Sequence, residues 1–124
     1  MAKTRIKVAE GESAVASAVA GFAPGAEPAP RDTVAMAVRY LLQCLAEDSK
    51  GNTLEVRVPP FGATQCVEGP GHTRGTPPNV VEMDAATWLA LATGTLSWED
   101  GIASTRIAAS GQRADLRGHV PVRR

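Results

Sequence analysis

Residues 32–51 constrain the chain more than any other stretch. Val34, Ala37, Val38, Leu41, Cys44 and Leu45 recur at spacings of three and four, with Arg39, Gln43 and Glu47 opposite. That period predicts an amphipathic helix. Tyr40 and Leu42 widen its apolar face, as suits a helix laid flat on a sheet. Asp32 is placed to cap the first turn, Lys50 to meet the C-terminal dipole and Gly51 to supply a left-handed stop. The period then changes. Over residues 53–58, Leu54, Val56 and Val58 alternate with Thr53, Glu55 and Arg57, which predicts a half-buried strand ended by Pro59-Pro60.

The rest of the pattern is shorter-ranged. Residues 63–67 read as a second strand, antiparallel to the first across Phe61-Gly62. Val80 to Met83 reads as a third. Asp84 then caps a helix carrying Trp88, Leu89 and Leu91, closed by Gly94; Ser97 and Asp100 open another over residues 98–103. Residues 105–109 read as a strand and 112–117 as a last short helix. Residues 68–79 hold three Gly and three Pro in twelve positions, so they predict a loop without regular structure. A loop of that length in a small domain is functional or mobile. Upstream, residues 1–30 are rich in Ala, Gly, Ser and Pro. Residues 1–12 read as mobile, 13–22 as one weak helix and 23–30 as a stiff linker carrying Pro24, Pro28 and Pro30. The organisation expected is thus an N-terminal segment, 1–30, and one domain, 31–124.

Composition excludes several functions. Aromatic residues are 4 % of the 124, too few for a platform that stacks single-stranded nucleic acid. Thirteen basic residues balance thirteen acidic ones, without the basic excess of a nucleic-acid-binding domain. The balance hides a gradient: residues 59–101 sum to −4 and residues 102–124, with five Arg against Asp115, to +4. That Arg-rich tail reads first as a solvated surface. There is no run of about 20 apolar residues to cross a membrane. Glu10 and Glu12 interrupt any secretion signal. Two cysteines, both expected to be buried, suit a reducing cytoplasm.

Chemistry-bearing clusters are sparse. Cys44, Cys66, His72 and His119 lack the close spacing that pre-forms a metal site, so no metal or other cofactor is expected. Cys66 with His72 is a conceivable nucleophile and base, but the sequence shows neither proximity nor exposure, and they read first as a strand cysteine and a loop histidine. Gly69, Gly71 and Gly75 with Arg74 could hold an anion, yet the spacing is not that of a phosphate-binding loop. Glu82 with Asp84, and Glu99 with Asp100, are accounted for by strand exposure and helix capping. What remains is apolar and crowds the last third: Trp88, Leu89, Leu91, Leu96, Trp98, Ile102, Ile107, Leu116 and Val120. Such residues form a filled core or line an apolar site.

An ordered set of short motifs carries a resemblance. Val80-Val81-Glu82-Met83-Asp84 is a strand ending in acidic residues; Leu91-Ala92-Thr93-Gly94 closes a helix; Ile102-Ala103 ends the next. Arg106-Ile107-Ala108-Ala109-Ser110-Gly111 and Ala114-Asp115-Leu116 follow. In this order they resemble the C-terminal half of the sterol carrier (non-specific lipid-transfer) domain. The segment from Val58-Pro59-Pro60-Phe61-Gly62 to Pro77-Pro78-Asn79 resembles that family's compact bacterial branch, found in actinobacteria. The resemblance covers about residues 31–122. It implies an α+β fold, a mixed four- to five-stranded sheet covered by helices around an apolar tunnel. It implies non-enzymatic binding, or transfer, of a sterol, fatty acyl chain or similar lipid in the cytoplasm. Four strands are legible here where the family usually has five.

On this reading Leu54, Val56, Trp88, Leu91, Trp98, Ile102, Ile107 and Leu116 line an internal cavity, and Arg74 or Arg106 meets an acidic head group. The expected partner is a lipid or acyl-chain small molecule, with no nucleic acid and no stable membrane insertion. The alternative is a closed-core interaction module of the same fold, docking a protein through residues 68–79 or the Arg-rich tail. Oligomeric state is not legible.

Overall fold

The computed structural model describes residues 4–69 and 79–124. Four helices and four strands follow in the order α1 (Val8–Gly21), α2 (Arg31–Asp48), β1 (Leu54–Val58), β2 (Gly62–Cys66), β3 (Val80–Glu82), α3 (Ala85–Thr93), α4 (Trp98–Ala103) and β4 (Ala108–Ser110). The sheet runs β2-β1-β3-β4. β1 pairs antiparallel with β2, Leu54 opposite Cys66 and Val58 opposite Gly62, and parallel with β3. β3 pairs antiparallel with β4. The fold is therefore α+β with a mixed, open, four-stranded sheet.

Helix α2 is the centre of the core. Its expected stripe is buried: Ala37, Val38, Leu41, Cys44 and Leu45, joined by Tyr40 and Leu42. Beneath it, β1 points Leu54, Val56 and Val58 inward and turns Glu55 and Arg57, paired with each other, outward. Trp88 of α3 is fully buried, and its indole N–H donates to the Val38 carbonyl at 3.3 Å, tying α3 to α2 across fifty residues of chain. Asn79 makes a second long-range tie. Its side chain donates to the Thr53 carbonyl at 2.9 Å and accepts from the Arg113 N–H at 2.9 Å, joining the start of β1 to the C-terminal segment.

Several expectations need correction. The first helix starts at Val8, not residue 13, and the segment read as mobile with a weak helix carries Ala14, Val15 and Ala18 into the core. Asp32 is not the cap of α2. Pro30 holds that position, its carbonyl accepting from the Thr33 and Val34 N–H groups, and Asp32 sits in the first turn, where a carboxylate favours the dipole. Gly51 does not stop α2, which ends at Ser49. It has φ +143° and lies so close to Val67 that a Cβ would stand 2.0 Å from that residue's carbonyl oxygen. β4 starts at Ala108 rather than residue 105. Residues 112–117 are not a helix: residues 112–113 form a turn, Arg117 bridges to Val120, and the Asp115 carboxylate takes the Arg117 N–H at 2.8 Å, a donor that helical bonding would need. Most of the Gly-Pro stretch, residues 70–78, lies outside the described residues.

Gly11 shows why α1 belongs to the fold. A Cβ there would lie 2.2 Å from the buried ring of Tyr40. Gly11→Ala in an undocked helix would gain about 1 kcal/mol of propensity. Against the Tyr40 ring, overpacking costs about 1–3 kcal/mol. The substitution should therefore destabilise the protein in urea unfolding; a gain in stability would mean that α1 is not docked as described.

Asp84 caps α3 as expected, accepting from the Thr87 N–H at 2.8 Å. Hydrogen bonds from Thr87, side chain first and backbone second, hold its carboxyl below the ordinary range. Asp84→Ala should cost about 1 kcal/mol at pH 7, and Asp84→Asn, which keeps an acceptor, much less. The folded pKa lies below the unfolded one, so the carboxylate's contribution is complete above about pH 4 and fades as pH falls through the folded value. Urea unfolding at pH 7 and pH 3 should thus show the margin of wild type over Asp84→Asn shrinking on acidification.

Candidate functional site

The larger concave surface is a trough with a volume of about 740 Å³, on the side of α2 that faces away from the core. Its floor is a stripe running the length of the helix: Asp32, Ala35, Met36, Arg39, Leu42, Gln43, Ala46 and Glu47. These recur every three to four residues, so they share one face. From Asp32 to Glu47 the floor is about 22 Å long at 1.5 Å per residue. One wall is edge strand β2, through Gly62, Ala63 and Thr64; the other is the extended segment Thr4, Arg5 and Ile6.

Polar contacts fasten both walls. The Ile6 N–H donates to the Gln43 side-chain oxygen at 2.8 Å, and the Gln43 amide donates back to the Ile6 carbonyl at 3.0 Å. Arg5 grips Glu47 with two bonds of 2.6 and 2.8 Å. Hydrogen bonding to Arg5 holds the Glu47 carboxyl below its ordinary range. On the β2 side, Arg39 Nε donates to the Phe61 carbonyl at 2.8 Å, and the Arg31 guanidinium stands over the Phe61 ring at 5.1 Å. Between the walls the surface is apolar, from Ile6, Ala35, Met36, Leu42, Ala46 and Ala63.

The side chains singled out from sequence lie elsewhere. Leu54, Val56, Trp88, Leu91 and Leu116 are at most 1 % exposed and belong to one packed core cluster, as does Ile107. Ile102 is outside the core, 39 % exposed. Of the eight, only Trp98 touches a concavity, a second one of about 340 Å³ between α4 and the C-terminal segment, with Leu96, Arg117, Val120 and Pro121. Arg106 is remote from the trough: its Nε donates to the Thr87 hydroxyl at 3.2 Å, behind the Asp84 cap. Arg74 lies outside the described residues. The signal that could have found the trough is on the polar face of α2, where Ala35, Met36 and Ala46 stand among charges.

The other candidates are quickly placed. Cys66 is fully buried and burial pushes its thiol up to about 12, which removes it as a nucleophile at neutral pH; His72 lies outside the described residues. Cys44 is buried with a raised thiol, and neither cysteine is in a disulfide. His119 Nδ1 meets the Ser49 hydroxyl at 2.8 Å. Among the described residues no three His, Cys, Asp or Glu side chains gather where a metal could bind. No described helix is long and apolar enough to cross a membrane. The Arg-rich tail is partly neutralised in place: Arg117 pairs with Asp115 at 2.7 Å, Arg123 approaches Asp48 at 4.0 Å and Arg124 approaches Glu12 at 3.9 Å.

The Gln43 clamp makes the trough's N-terminal wall testable. Gln43→Leu removes both bonds to Ile6 and leaves the helix apolar stripe intact. Amide exchange at Ile6 should accelerate at least tenfold, with the Leu41 and Leu45 amides unchanged, as read by NMR hydrogen exchange.

Comparison with known proteins fits this geometry. The family model described as "Bacterial SCP ortholog", SCP standing for sterol carrier protein, matches residues 30–122. A search of curated proteins returns no match. The matched span runs from the N-cap of α2 to the C-terminal segment and leaves α1 outside it. Lipid binding or transfer is what this family suggests, and the chain, matched over residues 30–122, belongs to it.

Proposed function

We propose that the protein reversibly binds a lipid-like amphiphile in the trough along α2, in the cytoplasm and without covalent chemistry. The observation that carries this reading is an elongated, apolar-floored trough of about 740 Å³ in a chain of this family. That volume lies in the range of small-molecule sites. Each 100 Å² of tail removed from water contributes about 2.5 kcal/mol. A sterol or a fatty acyl chain both supply such surface; the length of the floor favours the extended chain. The buried, unactivated Cys66 supports binding without a nucleophilic step, and two free cysteines suit a reducing compartment.

A second reading is a closed-core module that docks a protein. It is favoured by the packing of the expected cavity residues into the core, and by edge strand β2, which has no further strand beside it among the described residues.

Native mass spectrometry of protein purified without detergent, before and after organic extraction, separates the two. The lipid reading expects a mass increment that extraction removes, and uptake of a fluorescent fatty acid on titration. Met36→Glu puts a carboxylate on the half-buried trough floor. It should weaken that uptake at least tenfold, whereas Ile102→Glu, on an exposed position outside the trough, should not. A clean apo mass with no uptake would overturn the lipid reading in favour of the docking module.

A further inference from the structure

We infer that Arg39 is an anion-anchoring residue of the trough, selecting amphiphiles whose head carries a carboxylate or phosphate over neutral ones of the same tail. This rests on the reading of the trough as a lipid site. Four charged side chains line the trough. Two cancel, because Arg5 is gripped by Glu47 through both guanidinium bonds. Asp32 stands seven residues from Arg39, two turns or about 10 Å along the helix, and forms no ion pair with it.

Arg39 is left as the trough's cation without an ion-pair partner. Its Nε is committed to the Phe61 carbonyl at 2.8 Å, which fixes the plane of the guanidinium at the β1–β2 turn. The two terminal nitrogens take no partner among the described residues. They form a pre-oriented fork, the geometry that two oxygens of a carboxylate or phosphate accept in parallel. Arg31, held over the Phe61 ring at 5.1 Å, adds positive charge at the same rim. Apolar floor extends from Arg39 both ways, over Ala35 and Met36 and over Leu42 and Ala46, so a tail is shielded while its head stays on the fork.

The test is a binding series with one tail and three heads: dodecanoate, dodecyl phosphate and dodecanol, titrated at pH 7.4 into the intact protein. Wild type should bind the better anion roughly three- to tenfold more tightly than the alcohol. That preference should shrink in 0.5 M salt. Arg39→Gln should bring the ratio of anion to dodecanol affinity, taken within the variant, to about one; Arg39→Lys, with charge but no fork, should fall between. Arg106→Gln should change nothing. The phosphate and carboxylate arms decide between the two heads by which binds more tightly. Equal affinity of acid, phosphate and alcohol for the wild type would overturn the inference and leave lipid binding standing, even if Arg39→Gln failed to fold. A preference that survives Arg39→Gln would overturn it as well. Failure of all three to bind would remove the lipid reading and this inference together.

Discussion

Helix α2 has to bury Ala37, Val38, Leu41 and Leu45 completely, and the rest of the molecule is arranged around that demand. Sheet residues Leu54, Val56 and Val58 meet one part of the stripe, Trp88 and Leu89 of α3 another, and α1 closes over Tyr40 through the gap that Gly11 leaves. A helix surrounded this way on one side has only its other side to offer. That side is Asp32, Met36, Arg39, Gln43 and Glu47, and it forms the floor of the trough. Core and candidate site are thus built on the same eighteen residues and meet at Leu42, which is buried in the core and lines the trough, and at Met36, which packs against the core from the floor. A substitution in the buried stripe would shift the floor by tilting the helix, and among floor positions Leu42 and Met36 also bear on the core.

What the sequence makes legible is what local chemistry decides. The α2 stripe, the β1–β2 hairpin, the Asp84 and Ser97 caps and the Gly94 stop each rest on residues within a few positions of one another, and each is present. What is not legible depends on distant partners. Gly11 argues against a helix until Tyr40 is placed against it. Residues 112–117 look helical, but the segment's path is set by Asn79, far upstream, which holds the Arg113 N–H and the Thr53 carbonyl at once. The apolar residues singled out from sequence lie mostly in the core and not along the trough, for a related reason. A search for an apolar site selects the most apolar side chains, and in so small a chain Trp88, Leu91 and Leu116 are needed for the core. The trough instead uses small or flexible apolar groups, Ala35, Met36 and Ala46, on a face whose charges dominate its pattern.

The two walls of the trough differ in kind. The β2 wall is part of the sheet and is fixed by the ladder to β1. The N-terminal wall is an extended strap, held by one side-chain amide and one exposed ion pair. Exposed pairs contribute little and weaken with salt. The strap is held at Ile6, by the Gln43 clamp and by packing of its side chain against the core, while Glu47 with Arg5 sets its position. A ligand deeper than the resting trough would move the strap rather than the sheet, since the strap has the weaker attachments.

An open trough also limits how tightly a tail can be held. Covering about 300 Å² of an alkyl chain contributes roughly 7–8 kcal/mol. Association costs at least about 4 kcal/mol in lost freedom. The remainder, about 3–4 kcal/mol, corresponds to a dissociation constant near or above the millimolar level. A neutral chain lying in the trough would thus exchange readily, and a head-group contact worth a factor of ten decides whether the complex is populated at all. This assigns the two parts of the site different tasks. On the proposed reading the apolar floor along Ala35, Met36, Leu42 and Ala46 would accept many tails weakly, and the fork at Arg39, fixed by the Phe61 carbonyl, would determine which heads stay. Weak retention of the tail with selection at the head suits a carrier that must release its cargo better than it suits a store.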